Sequence, residues 1–78
     1  MPKLPLIKDR ELIRVLRHLG FFQHPERGTS HLVFAHKDGR RTTASRHPGK
    51  DMPRGTLRAI LRDISVSPNE FVKVLKGR

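Results

Sequence analysis

Residues 30–46 read SHLVFAHKDGRRTTASR, with an alternating run over residues 30–36 and a second run over residues 40–46 on either side of an Asp38-Gly39 pair. Alternation with a period of two places successive side chains on opposite faces of a β-strand. An Asp-Gly pair between two such runs favours a two-residue β-hairpin turn. The stretch therefore predicts antiparallel strands over residues 30–36 and 40–46.

A two-residue turn at this position also fixes the register of the two strands. It sets Lys37 opposite Arg40 and His31 opposite Arg46, because directly paired residues step outward from the turn. We therefore expect a guanidinium group beside the imidazole of His31, where it can also bind a phosphate.

The segment before the hairpin predicts one helix and one short strand. Asp9 is the expected N-cap of the helix, and Gly20 is placed to end it. Between them the apolar residues follow the three-to-four spacing of a helix face: Leu12, Ile13, Leu16 and Leu19. A short strand over residues 21–24 and a turn over residues 26–29 then lead into the hairpin.

The segment after the hairpin predicts a loop and two more helices. Pro53 is expected at the first position of the second helix, and Ser67 opens a short third helix through a capping box with Glu70. The inward-facing residues of the second helix are predicted to be Leu57, Ile60, Leu61 and Ile64. Helix, three strands, helix and short helix make an α+β fold, a single two-layer domain over residues 1–78.

The charge balance indicates a polyanionic partner. Lys and Arg total 17 against 7 Asp and Glu, which gives a net charge of +10 in a chain of 78 residues. Such an excess is typical of nucleic-acid binding and also suits an acidic protein partner. Arginines recur every three or four residues along both longer helices and predict two basic stripes: Arg10, Arg14, Arg17, and Arg54, Arg58, Arg62.

Other features of the composition exclude several classes of protein. The chain has no cysteine, which excludes a disulfide framework and a thiolate zinc site. It has no apolar run long enough for a signal peptide or a membrane span. We therefore expect a soluble cytoplasmic protein with no membrane partner.

His31 is the strongest candidate for chemistry among the 5 histidines. RNA carries its own nucleophile, the 2′-hydroxyl, so cleavage needs a base, a donor to the leaving oxygen and cations around the phosphate. Such a site needs no metal and no deep pocket, which suits a small domain. An exposed histidine is more often a solvated surface residue than a catalytic one. The hypothesis that His31 is catalytic therefore depends on its basic surroundings.

Glycine loops and cations near His31 complete the predicted site. Gly28 lets the backbone approach a phosphate, and the start of the second helix offers amides near Pro53. The predicted RNA-binding residues are Gly28, Ser30, Arg46, His47, Lys50 and Arg54. A metal site is disfavoured because the odd offset of His31 and His36 places them on opposite faces of one strand. No cofactor is expected.

Several motifs in one order resemble the HicA family of small toxins, also called the YcfA-like family. They are Leu19-Gly20-Phe21, the segment from Gly28 to His31 with His36, and Asp38-Gly39-Arg40 in the hairpin. Two further motifs are HPGK at residues 47–50 and PRGTLRAIL at residues 53–61, followed by the helix start at residues 67–71.

This resemblance implies a fold like the double-stranded RNA-binding domain. It implies a metal-independent endoribonuclease of a type II toxin–antitoxin system that cleaves mRNA and blocks translation. It also implies a cognate HicB-type antitoxin that covers the site, with the toxin a monomer when free. The family's catalytic histidine follows glycine or serine at a strand start, which Ser30-His31 matches. The chain departs from the pattern at Ser45, where related sequences often have proline.

Three hypotheses follow from these observations. The leading one is a toxin endoribonuclease in which His31 is the general base or acid. The second is a non-catalytic double-stranded RNA-binding module that uses the same arginine stripes. In the third, the positive charge is mainly a docking surface for the antitoxin.

Overall fold

The computed structural model describes residues 4–24 and 31–77 as three helices and three strands. In chain order these are α1 (Asp9–His18), β1 (Phe22–His24), β2 (His31–Ala35), β3 (Arg41–Ser45), α2 (Arg54–Asp63) and α3 (Pro68–Gly77). This order confirms the predicted α+β fold class. The predicted turn over residues 26–29 lies outside the described residues.

The strands form one antiparallel sheet in the order β1-β2-β3, with the helices on one face. Leu32 and Phe34 of β2 and Ala44 of β3 share a core with residues of all three helices. The four inward residues predicted for α2 are all buried. The opposite side of the sheet is called the open face below; it carries Phe22, His24, His31, Val33, Ala35, Arg41, Thr43 and Ser45.

The predicted register of the hairpin is wrong by one residue. His31 pairs with Ser45 and Ala35 with Arg41, so Arg46 lies beyond the end of β3. The turn has three residues, because the His36 N–H donates to the Arg40 carbonyl at 2.9 Å. Gly39, with a φ of +100°, supplies the left-handed residue that a three-residue hairpin loop requires. Lys37 is therefore in the loop and not opposite Arg40.

The start of α1 also differs from its prediction. Lys8 occupies the N-cap position, and its backbone N–H donates to Oε1 of Glu11 at 2.9 Å. Asp9 is the first helical residue, and its carboxylate accepts the His47 N–H instead of capping the helix. Gly20 follows the end of α1 with a φ of +94°, as a helix-ending glycine does.

The starts of α2 and α3 lie close to their predicted positions. Pro53 is the N-cap of α2, one residue earlier than its predicted place. Ser67 Oγ accepts the Glu70 N–H at 3.1 Å, which is half of the predicted capping box. The third helix has 10 residues and extends through Gly77, so it is as long as α2. No helix in residues 4–24 and 31–77 is long and apolar enough to cross a membrane.

Candidate active site and basic surface

His31 is the first residue of β2 and is exposed on the open face of the sheet. Its direct neighbour across the β2–β3 ladder is Ser45, a small residue, where a guanidinium was predicted. The imidazole therefore lies at one end of the sheet, with a small side chain opposite it on β3.

The chain leaves β3 at the same end and forms a loop over residues 47–52, called the 47–52 loop below. Arg46 and Lys50 are both exposed there. The Lys50 N–H donates to the His47 carbonyl at 3.0 Å, and Gly49 has a φ of +70°. This turn places two predicted RNA-binding cations at the end of the sheet where His31 lies.

Contacts with the first helix and the residues before it anchor the 47–52 loop. The His47 N–H donates to Asp9 Oδ2 at 2.7 Å, and the Met52 N–H donates to the Ile7 carbonyl at 2.7 Å. The ammonium of Lys8 lies 3.0 Å from a carboxylate oxygen of Asp51. The loop is therefore held on one side along most of its length. Sequence reasoning missed these contacts because their partners are about forty residues apart and an acidic residue at a helix start reads as a cap.

The imidazole of His47 faces the carboxylate of Asp9. Nδ1 of His47 and Oδ1 of Asp9 are 4.0 Å apart, which exceeds hydrogen-bond distance. Both atoms are buried and have no hydrogen-bond partner among the described residues. They border a pocket of about 320 Å³ lined by Lys8, Asp9, Arg10, His47, Pro48 and Gly49. His47 is thus positioned mainly through its backbone.

Arg54 is both exposed and structurally engaged. It is the first residue of α2, and its Nε donates to the Leu4 carbonyl at 2.6 Å. This contact fixes the guanidinium beside the N-terminal segment. The other stripe arginines are exposed as predicted, although Arg14 also donates from Nη2 to the Leu75 carbonyl at 2.8 Å.

No group of three or more His, Cys, Asp or Glu side chains that could hold a metal ion occurs in the part of the chain that the structure describes. Asp51, the carboxylate nearest to His47 in the 47–52 loop, is paired with Lys8. That RNA cleavage needs no metal ion stays a prediction, and the activity assay tests it.

At the other end of the sheet, His36 is part of a closed set of contacts. Its Nδ1 lies 3.1 Å from both the backbone N–H and the Oδ1 of Asp38. Its ring meets Phe21 edge to face at 4.9 Å, and the guanidinium of Arg40 lies 5.0 Å from the centre of the Phe21 ring. Arg40 also donates to the Ile64 carbonyl at 2.7 Å. His36 is therefore a structural histidine.

A family profile, described as HicA toxin of bacterial toxin-antitoxin, matches residues 10–66. The chain belongs to the HicA toxin family. HicA toxins pair with HicB antitoxins and are generally ribonucleases that cleave mRNA. A search of curated proteins found no match.

The match to the HicA family extends from the first turn of α1 to just beyond α2. It includes His31 and the whole 47–52 loop. In this HicA chain, Arg46, His47, Lys50 and Arg54 follow the end of β3 toward the start of α2, at the end of the sheet where β2 begins. Gly28 and Ser30 of the predicted site lie outside the described residues.

Proposed function

We propose that this HicA toxin is a metal-independent endoribonuclease that cleaves mRNA, with His31 as its general base or acid. One observation carries the proposal: an exposed imidazole opens β2 at the end of the sheet where Arg46 and Lys50 are exposed. Family membership supports the reaction class, and the geometry supports the choice of histidine.

The chemistry uses groups that this end of the molecule presents. A base removes the proton of a ribose 2′-hydroxyl, and the oxygen then forms a bond to the adjacent phosphorus. The bond from phosphorus to the 5′-oxygen breaks, and that oxygen takes up a proton. The products are a 2′,3′-cyclic phosphate and a 5′-hydroxyl end. Arg46 and Lys50 stabilise the negative charge that develops on the phosphate.

A shallow site is consistent with a large substrate. His31 lies on an open sheet face, so a long RNA chain can reach it without entering a cavity. We propose further that the cytoplasmic toxin is a monomer when free and is silenced in a complex with a HicB-type antitoxin. An acidic surface on that antitoxin would complement the net charge of +10.

The test compares cleavage of an RNA ladder and growth arrest for the wild type and His31→Gln. Loss of a general base or acid is expected to reduce the cleavage rate by about 10²–10⁴-fold. The matched control is His18→Gln, which alters an exposed histidine at the far end of α1. It should cleave at the wild-type rate, and circular dichroism should show both variants folded.

Wild-type cleavage by His31→Gln would refute the assigned role. Tight, salt-sensitive RNA binding with no cleavage by the wild type would instead favour the non-catalytic double-stranded RNA-binding module. Weak RNA binding even at low salt would favour a surface used for antitoxin docking. Addition of EDTA should leave the cleavage rate unchanged.

A further inference from the structure

We propose that the open face of the sheet is a base-stacking platform for single-stranded RNA, in which Phe22 and His24 stack unpaired bases and guide the strand to His31. The inference extends the proposed function, because it names the form of the RNA and the surface that receives it. It rests on the arrangement of side chains along β1 and β2.

The first observation is an exposed aromatic pair. Phe22 is 50% exposed, one of two large apolar side chains in the described residues with that exposure. His24 lies two residues along β1 on the same face, and the ring centroids are 5.7 Å apart at an interplanar angle of 46°. The two rings therefore lie next to each other on the open face, tilted relative to one another, with Phe22 the more exposed.

The second observation is the register of the sheet. Phe22 pairs with Ala35, and His24 pairs with Val33, so both rings lie beside the strand that carries His31. Ala35, the partner of Phe22, is four residues from His31 along β2, a distance of ~13 Å for an extended strand. A few nucleotides can cover this distance, so one strand can contact the rings and the imidazole together.

The third observation is the size of the neighbouring side chains. Val33 and Ala35, the β2 partners of His24 and Phe22, have short side chains, as do Thr43 and Ser45 of β3. Next to β1, the short side chains of β2 do not cover the rings of Phe22 and His24. A flat base can therefore approach either ring from above β2 without meeting a large side chain on the paired β2 residue.

Charge decides between RNA and an apolar protein as the occupant of this face. Arg41 is exposed on the open face and pairs with Ala35, the partner of Phe22. An aromatic ring with a guanidinium in the same row matches a nucleotide, which has a flat base and an anionic phosphate. A duplex hides the faces of its bases, so this arrangement favours single-stranded RNA.

The experiment measures binding of a single-stranded RNA oligonucleotide in a His31→Ala background, where cleavage does not interfere. Adding Phe22→Ala should weaken binding by roughly 5- to 150-fold, the effect of losing one stacked base. Adding Leu6→Ala should leave binding unchanged, because Leu6 has the same 50% exposure but lies outside the sheet. Binding of the matching RNA duplex should be equal in both variants.

A fluorescent variant gives a second measurement. The chain has no Trp and no Tyr, so Phe22→Trp introduces a single strong fluorophore. It should retain the affinity for single-stranded RNA, and bound RNA should quench its emission. Circular dichroism on every variant separates a loss of binding from a loss of folding.

Equal binding of single-stranded RNA by the Phe22→Ala and Leu6→Ala variants would overturn the platform. It would also be overturned if Phe22→Ala weakened only the complex with a HicB antitoxin, since the face would then be a protein-docking surface. These binding results do not depend on cleavage. Failure of the platform is thus distinguishable from failure of the catalytic role of His31.

Discussion

The two ends of the sheet use the same residue types in opposite ways. At the hairpin end, His36, Asp38 and Arg40 contact one another, the Phe21 ring or the end of α2. At the loop end, His31, Arg46 and Lys50 are exposed where the chain passes from β3 toward α2. Histidine, arginine and glycine occur at both ends.

This difference shows that position, and not residue type, separates structural groups from candidate functional ones. The hairpin end is closed by local contacts between residues 36 and 40, with further contacts to Gly20, Phe21 and Ile64. At the loop end, the 47–52 loop is held by contacts with Ile7 and Asp9, and the side chains of Arg46 and Lys50 are exposed. Paired substitutions at the two ends therefore test the comparison directly.

The largest expected difference in stability is between two glycines. Gly20 has a φ of +94°, and an added Cβ would lie 2.8 Å from Nε2 of His36. Gly20→Ala should lower the free energy of unfolding by about 2–4 kcal/mol, because backbone strain and overpacking add. Denaturant unfolding measures this loss.

The matched control for that prediction is Gly49→Ala at the loop end. Gly49 has a φ of +70°, but an added Cβ would meet nothing within 4 Å among the described residues. The loss should be about 1–2 kcal/mol from strain alone. Equal losses at the two glycines would show that His36 is not packed tightly against Gly20.

The next largest effect on stability is expected at Arg40, which is compared with Arg46. Arg40→Ala removes the hydrogen bond to the Ile64 carbonyl and the contact with the Phe21 ring. It should lower the free energy of unfolding by about 1–2 kcal/mol, measured by denaturant unfolding. RNA binding should change little.

Arg46→Ala should show the reverse pattern. Its effect on stability should stay within about 0.5 kcal/mol, as for most exposed positions. RNA binding should weaken, and the slope of log affinity against log salt should fall by about one unit for the lost phosphate contact. A larger stability loss at Arg46 than at Arg40 would reverse the assignment of the two ends.

The smallest effect concerns pH at the hairpin end. The hydrogen bond from the Arg40 backbone lowers the pKa of Asp38 below its ordinary value of 3.8, with help from the Arg40 side chain. The ionised carboxylate therefore stabilises the folded state above that value, and the stabilisation is lost as pH falls through the lowered pKa. Asp38→Asn should be less stable than the wild type near neutral pH. The gap should close in acid, and a gap that widened would contradict the sign.

The element order was predictable because it depends on local patterns. Alternation marked β2, and the Asp38-Gly39 turn signal predicted β3 after it. The helix signals at Gly20, Pro53 and Ser67 placed helix ends within one residue. The register was not predictable from the Asp38-Gly39 pair alone. The pair is compatible with two-residue and three-residue loops, and the hydrogen bond from Gly39 N–H to the His36 carbonyl decides for the longer one.

The location of the candidate residues at one end of the sheet was predictable, but the contacts that hold the 47–52 loop were not. His31, Arg46 and Lys50 stand out by type and by their place beside loops. The role of Asp9 did not, because its contact with His47 crosses 38 positions of sequence. Likewise, nothing local to Arg54 indicates that its side chain holds the carbonyl of Leu4.

The anchoring of the 47–52 loop has a consequence for the order in which a newly made chain acquires its shape. The contacts of Leu4, Ile7 and Asp9 wait for residues 54, 52 and 47, which are synthesised much later. The two strands of the hairpin can pair before that point, since their partners are close in sequence. A toxin emerging from the ribosome therefore carries residues 4–9 without these contacts until residues 47–54 have been made.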